Sequence, residues 1–133
     1  MSDPEFLDVD DVLALHERQI AEFGGSPGIR DLGLLESAVA MPQATFGGGF
    51  VHDSPFAQAA AYAFHIAQNQ PFIDGNKRTG LGAALVFLRL NGLRVVDPAG
   101  ELYEAMIAIA ERRLDKTGLA AILERLAQPV SPP

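Results

Sequence analysis

The chain has 133 residues, 48% of them apolar and 20% charged, which is the size and composition of one globular domain rather than of a disordered segment. Its 10 basic and 17 acidic residues give a formal net charge of −7, which argues against a broad nucleic-acid or membrane-surface binder. The chain has no cysteine, which excludes disulfides, thiolate catalysis and cysteine-ligated metals.

The apolar residues recur at helical spacing along almost the whole chain. Asp8 and Asp31 stand where they would cap a first and a second helix, because an aspartate accepts hydrogen bonds from the first free amides of a helix. Ser54 followed by Pro55 predicts the start of a third helix. The glycine run at 47–49 predicts a mobile loop before that helix.

The second half of the chain predicts three more helices, over about residues 77–91, from Asp97 onward, and over about residues 116–127. Residues 93–96 alone have strand-like composition, and one short run cannot form a sheet. The predicted fold is therefore all-α, a compact single-domain bundle of about six helices over residues 1–128. A frayed tail is expected over residues 129–133.

The three histidines fall in no metal-ligand spacing. His16 and His65 lie within predicted helices, where we expect packing or surface roles, and His52 lies near the glycine run. The first residues lack the basic and apolar regions of a signal peptide, and the longest apolar stretches are too short to span a bilayer. We therefore expect a cytoplasmic protein with no membrane partner and no direct nucleic-acid binding.

A polar loop at 70–76 leads directly into the predicted fourth helix. The first amides of a helix have no intrahelical acceptor, and the helix dipole adds partial positive charge there. Lys77 and Arg78 add two full charges to the same turn, and Gly75 allows the backbone to curl so that successive amides converge. The segment thus predicts a phosphate- or nucleotide-binding site at a helix start.

Two side chains of the loop have further expected roles. Asp74 lies beside the cations and is a natural Mg²⁺ ligand, because Mg²⁺ prefers one or two carboxylates plus phosphate oxygens. Phe72 is expected to be an apolar plug that fixes the loop to the core. The spacing of a Walker A phosphate loop is absent. A common connecting turn with a solvated lysine and arginine fits the same residues, so spacing alone leaves both interpretations open.

The nine residues Pro71-Phe72-Ile73-Asp74-Gly75-Asn76-Lys77-Arg78-Thr79 resemble the signature loop of the Fic/Doc superfamily, H-P-F-x-[DE]-G-N-[KG]-R. The Lys-Arg-Thr ending is similar to the Doc (death-on-curing) branch rather than to the Fic branch. Other segments also resemble that branch, namely Arg30-Asp31, Leu34–Ala38, Phe46–Gly48, Ala83–Leu88 and Asn91-Gly92. The resemblance covers about residues 25–120.

The resemblance implies a compact helical toxin of a bacterial toxin–antitoxin pair. Doc-type members transfer the γ-phosphate of ATP to a hydroxyl of elongation factor Tu, whereas Fic-type members transfer AMP to a protein hydroxyl. Carried over, Asp74 would hold Mg²⁺ and would act with Arg78 in catalysis. The nucleotide phosphates would contact Gly75, Asn76, Lys77, Arg78 and Thr79. The implied partner is an antitoxin segment that forms a helix in an apolar groove.

One position departs from the family pattern. The family has a histidine before the Pro-Phe pair, where it serves as the base, and this chain has Gln70. A glutamine amide can orient a hydroxyl but cannot take its proton, and loss of a general base costs about 10²–10⁴ in rate. We therefore expect nucleotide binding with poor turnover, or a non-catalytic binding module. A natural glutamine and an introduced one both remain open, and His52 is a speculative replacement base.

Overall fold

The computed structural model describes residues 3–130. Within them the chain forms six α-helices and a short 3-10 helix, Met41–Gln43. In chain order the α-helices are α1 (Val9–Phe23), α2 (Leu32–Ala40), α3 (Pro55–Asn69), α4 (Asn76–Leu90), α5 (Glu101–Ala110) and α6 (Lys116–Leu126). The predicted all-α class is confirmed. No helix among the described residues is both long and apolar enough to cross a membrane.

The helix starts follow from the capping residues that the sequence supplies. Asp8 accepts a hydrogen bond from the Asp11 amide, while the Asp11 carboxylate accepts one from the Asp8 amide, so α1 begins with a reciprocal capping box. Asp31 caps α2 and Ser54 caps α3, as predicted. Asp97 also caps a helix, but its carboxylate accepts from the Glu101 amide, four residues later. Helix α5 therefore starts at Glu101 and not directly after Asp97.

Helix α3 lies at the centre of the core, where it packs against α2, α4, α5 and α6. Its alanines allow close approach, and a Cβ atom added to Gly80 of α4 would lie only 2.8 Å from the carbonyl oxygen of Ala63. The hydroxyl of the fully buried Tyr62 accepts a hydrogen bond from the Leu7 amide and donates one to the Leu7 carbonyl. These contacts fasten α4 and the N-terminal segment to α3.

Two small antiparallel strand pairs depart from the sequence-based expectations. The glycine run forms the turn of a hairpin between β1 (Thr45–Phe46) and β2 (Gly49–Phe50). Strand β3 (Leu93–Val95) pairs with β4 (Ala127–Pro129), so the short strand-like run does find a partner. At the start of the segment expected to fray, Pro129 belongs to β4 and the Val130 amide donates to the Gly92 carbonyl. Residues 131–133 lie outside the described residues.

The loop between α3 and α4 is held by the segment that precedes α2. The amides of Arg30 and Asp31 both donate to the Pro71 carbonyl, at 2.7 and 3.0 Å. The Ile73 amide donates to the Gly28 carbonyl at 3.1 Å. These backbone hydrogen bonds hold the loop against a segment that lies about 40 residues earlier in the sequence.

Candidate active site

The site is built on the N-terminus of α4. Gly75 caps the helix in the left-handed conformation, with φ 77° and ψ 20°, which glycine adopts without strain. The first bond within the helix is donated by the Thr79 amide to the Gly75 carbonyl, at 2.9 Å. Within residues 3–130, the amides of Asn76, Lys77 and Arg78 have no backbone or side-chain acceptor. These amides therefore form a cluster of donors suited to an anion.

The Asp74 carboxylate borders this cluster. One oxygen accepts a hydrogen bond from the Gly75 amide at 2.9 Å, and the other accepts from the Ser26 amide at 3.1 Å. These two hydrogen bonds lower the pKa of the exposed carboxyl group, and the bond from Ser26 has the larger effect. The nearby His16 and Lys77 lower the pKa further. The carboxylate therefore stays charged at neutral pH and keeps lone pairs for a metal ion.

Mg²⁺ fits this single carboxylate. No group of three or more potential metal-ligating side chains occurs in residues 3–130, so a dedicated protein cage is absent from that part of the chain. Mg²⁺ binds in proteins through one or two carboxylates together with phosphate oxygens and water. Asp74 would supply the protein ligand, and a bound phosphate would supply further oxygens.

A cleft of about 230 Å³ opens beside the α4 N-terminus. One wall is the segment Asp74–Arg78 with Leu81, and the other is formed by Tyr103, Met106 and Ile107 of α5. The guanidinium of Arg78 lies 4.4 Å from the centre of the exposed Phe23 ring, a cation–π distance. The cleft thus combines cations and free amides on one side with an apolar wall on the other.

A second cleft, of about 240 Å³, shares Asp74 and Lys77 with the first and extends to Gln70. Gln70 is exposed and caps the C-terminus of α3 in the left-handed conformation, with φ 50° and ψ 56°. The structure therefore brings position 70, Asp74 and the α4 N-terminus to one surface of the protein. The loop between α3 and α4 separates the two clefts on that surface. A hydroxyl group placed in the second cleft would face the side chain of residue 70.

Phe72 attaches the loop to the core. Its side chain is 1% exposed, as its expected role as an apolar plug requires. The Asn76 side chain clamps this residue, because its oxygen accepts from the Phe72 amide and its nitrogen donates to the Phe72 carbonyl, both at 3.0 Å. Asn76 thus has its side-chain polar atoms engaged within the loop. The donors that remain for the phosphate contact that the sequence predicts are its backbone amide and the second N–H of its side chain.

Known proteins resemble this chain over most of its length. A model of the Fic/DOC family matches residues 6–88. The chain belongs to the Fic/DOC family. A protein named Toxin Doc from Mycolicibacterium smegmatis is 40% identical over an alignment of 128 residues, which covers 92% of this chain and 94% of the relative. A protein named Protein kinase doc from Escherichia phage P1 is 35% identical over 117 residues, 88% and 91% of the two chains. Both relatives support the Doc branch, as the signature ending predicts.

Among the predicted site residues, Thr79 is the one that does not lie at the surface of the signature loop. It is fully buried, it lines neither cleft, and its hydroxyl oxygen has no hydrogen-bond partner among the described residues. The reason is the helical phase of α4, because Thr79 and the neighbouring Gly80 lie on the face that packs inward. A direct phosphate contact by the Thr79 side chain is therefore not supported.

Sequence reasoning missed a supporting role for His16, which was expected to be a packing or surface residue. The ring is buried and stacks on Phe72 with a centroid separation of 3.8 Å. Its Nε2 atom lies 2.8 Å from the Asp74 carbonyl oxygen. The apolar wall from α5 was also missed. Neither had a local signal, because each lies far from the signature loop in sequence.

The other two histidines form a separate cluster. The Lys116 Nζ atom lies 3.2 Å from His52 Nε2 and 2.9 Å from His65 Nε2. Burial and the Lys116 charge lower the pKa of both histidines, that of His65 to about 4. Since His52 is buried and engaged with Lys116, its geometry does not support its use as a replacement base for Gln70.

Proposed function

We propose that the chain is a Doc-type toxin that binds Mg·ATP at the α4 N-terminus and transfers the γ-phosphate to a hydroxyl of elongation factor Tu, at a rate lowered by Gln70. The observation that carries the proposal is the cluster of free amides beside Lys77, Arg78 and Asp74 at the mouth of a cleft. The names of the relatives, a Doc toxin and a kinase, support the toxin and the phosphate-transfer chemistry.

Phosphoryl transfer depends mainly on positioning and charge neutralisation, which are the properties this loop offers. Lys77 and the α4 amides would hold the phosphate oxygens, and Arg78 would swing from Phe23 toward the developing charge. Asp74 would hold Mg²⁺, which would supply further neutralisation of the phosphate charge. Gln70 would orient the acceptor hydroxyl through its amide but could not take the proton.

The decisive experiment restores a base. The Gln70→His variant, incubated with Mg²⁺, elongation factor Tu and ATP labelled on the γ-phosphate, should transfer label about 10²–10⁴ times faster than the unchanged chain. The Gln68→His variant is the matched control, because Gln68 lines the same cleft two residues earlier but lies within α3. No transfer by the Gln70→His variant, or equal transfer by both variants, would contradict the proposal.

Transfer of AMP is a second candidate, because the same loop could hold either end of the triphosphate. ATP labelled on the α-phosphate distinguishes it, since that label would reach the target only by AMP transfer. A third candidate is a binding module without activity. In that case the Gln70→His variant would bind ATP or antitoxin without modifying any protein.

We further propose an antitoxin segment as the partner, bound as a helix in an apolar groove. A groove of about 540 Å³ runs between α1 and the segment 27–29, lined by apolar side chains that include Leu13 and Ile20, with Glu17 at its edge. Residues 1–36 hold nine of the 17 acidic residues and only two of the 10 basic residues, and this acidic part of the chain favours a basic antitoxin segment. Ile29→Glu should weaken antitoxin binding at least tenfold, whereas the control Val51→Glu, on another exposed apolar residue, should not.

A further inference from the structure

Position 70 has an unusual backbone. Among the described residues, Gln70 and Arg112 are the non-glycine residues with positive φ. The left-handed region is unfavourable for a residue with a Cβ atom, so something must compensate at each such position. At Gln70 the conformation ends α3 and turns the chain toward Pro71, and it also decides the direction in which the side chain of residue 70 leaves the backbone.

The side chain of Arg30 contacts the backbone at this position. Its Nε atom donates to the Gln70 carbonyl at 2.7 Å, and a terminal nitrogen donates to the Asn69 carbonyl at 2.8 Å. These are two of the carbonyls that the end of a helix leaves without partners. Helix α3 has no basic residue in its own last turn, so Arg30 also supplies the cation that the negative end of the helix dipole favours.

Within residues 3–130, the guanidinium of Arg30 makes no hydrogen bond besides these two and no ion pair. The ion pairs found within residues 3–130 are Arg113–Glu111 and Arg125–Glu101, and Arg30 takes part in neither. Its side chain is exposed, so it does not fill the core. The backbone links from Arg30 and Asp31 to Pro71 are separate from the side chain and would survive its removal.

We propose that Arg30 is a positioning residue that holds residue 70 in the left-handed conformation, and so aims the catalytic side chain of that position at the acceptor hydroxyl. This inference rests on the proposed function, in which position 70 faces the hydroxyl. Arg30 itself lines neither cleft, and its contact with the second cleft is made through the backbone of residue 70, so it acts on that residue and not on the nucleotide.

The test uses the Gln70→His form as the parent, with Arg30→Ala, Arg30→Lys and the control Arg89→Ala added separately. Arg89 is a matched control because it is an exposed arginine in the last turn of α4, at the opposite end of that helix from the loop. The measurements are kcat and KM for phosphate transfer from Mg·ATP to elongation factor Tu, the Kd for Mg·ATP, and the Tm.

Arg30→Ala should lower kcat at least tenfold while the Kd for Mg·ATP changes less than twofold, because the α4 amides and Lys77 are untouched. Arg30→Lys should recover part of kcat, since an ammonium can reach the same carbonyls with poorer geometry. Arg89→Ala should leave kcat and Kd unchanged. If Arg30→Ala is too unstable to assay, the partial loss in Arg30→Lys provides the same comparison.

An unchanged kcat in Arg30→Ala, or a loss of kcat matched by an equal loss of Mg·ATP affinity, would overturn the positioning role and leave the proposed function intact. Failure of the parent itself to transfer phosphate would instead overturn the proposed function, and this inference with it. The two failures are therefore distinguished by the activity of the parent.

Discussion

The Nε2 atom of His16 lies 2.8 Å from the carbonyl oxygen of Asp74, and the same imidazole stacks on Phe72 at 3.8 Å. Since a carbonyl oxygen only accepts hydrogen bonds, Nε2 carries the proton and donates it. One buried side chain of α1 thus supports both the apolar plug of the signature loop and the residue expected to bind Mg²⁺. The loop is thus supported from α1 as well as from the segment that precedes α2.

Replacement of His16 should loosen this support. His16→Ala removes the stacked ring and the hydrogen bond, so we expect the free energy of unfolding to fall by about 2–3 kcal/mol and the affinity for Mg·ATP to fall with it. His16→Phe keeps a stacked ring and should lose only about 1 kcal/mol. Urea denaturation and calorimetry measure the two quantities. Equal stability of the alanine variant and the unchanged chain would contradict the supporting role.

The close approach of α3 and α4 gives a second prediction. A Cβ atom at Gly80 would lie 2.8 Å from the Ala63 carbonyl oxygen, which is backbone and cannot move aside. Gly80→Ala should therefore destabilise the protein by about 1–3 kcal/mol, although alanine is the better helix former. At Gly82, in the same helix, the nearest atom would be Gln19 Nε2 at 3.5 Å, an ordinary contact.

Gly82→Ala is thus the matched control, and it should stabilise the protein by about 0.5–1 kcal/mol through helix propensity alone. Thermal denaturation of both variants measures the difference. Two variants that change Tm in the same direction and to the same extent would show that the two helices do not approach each other as closely as the structure has it.

The sequence predicts those features that local chemistry decides. The caps at Asp8, Asp31 and Ser54 are readable because each aspartate or serine bonds to an amide three residues later. The left-handed Gly75 and the amides that follow it are also local. The contribution of His16 was not readable, because its partner Asp74 is 58 residues away in sequence. The same holds for the contacts of Arg30 with the end of α3.

The strands illustrate the same limit in the fold. Residues 93–95 have strand-like composition, but the partner at 127–129 continues directly from α6 and contains a proline. Its pairing depends on how α6 brings the chain back beside β3, which is a property of the packed bundle. The burial of Thr79 is not readable from the sequence for a related reason, because which face of a helix is buried depends on its neighbours.

Removal of the Asp74 charge should separate metal-dependent from metal-independent nucleotide binding. Asp74→Asn should weaken ATP binding at least tenfold in the presence of Mg²⁺, because an amide is a poor Mg²⁺ ligand. With Mg²⁺ chelated, the same variant should bind ATP as well as the unchanged chain or better, since a negative charge near the phosphates is gone. Asp53→Asn, at an exposed aspartate outside both clefts, should change neither affinity.

The lowered pKa of Asp74 adds a pH condition to that experiment. Because its carboxyl is already ionised well below neutral pH, Asp74 should add no pH dependence of its own to the Mg²⁺ effect on ATP binding between pH 5 and 8. The protonation of the ATP γ-phosphate, whose pKa is about 6, should account for the change that is seen. Titration calorimetry at several pH values measures it. A Mg²⁺ effect that falls toward pH 5 more steeply than the protonation of free ATP accounts for would show that another group of the protein, and not this carboxylate, holds the metal ion.

The histidine–lysine cluster predicts an acid sensitivity that is independent of the active site. His65 has a pKa of about 4 in the folded protein, because burial and the Lys116 charge disfavour the imidazolium, whereas an unfolded histidine titrates near 6.5. Between these values the unfolded chain binds the proton and the folded chain does not. The contribution to stability is therefore complete above pH 6.5 and is lost as the pH falls toward 4.

His65 is only half-buried and solvent screens its charge, so the loss should be about 1–2 kcal/mol rather than the full value of the shift. His52 contacts the same lysine and shifts in the same direction, with Asp53 acting in the opposite sense. Urea denaturation from pH 7 to pH 4.5 should show a steeper loss for the unchanged chain than for His65→Gln, which cannot take up the proton. Parallel pH profiles for the two proteins would mean that the acid sensitivity arises in the carboxylates and not in this cluster.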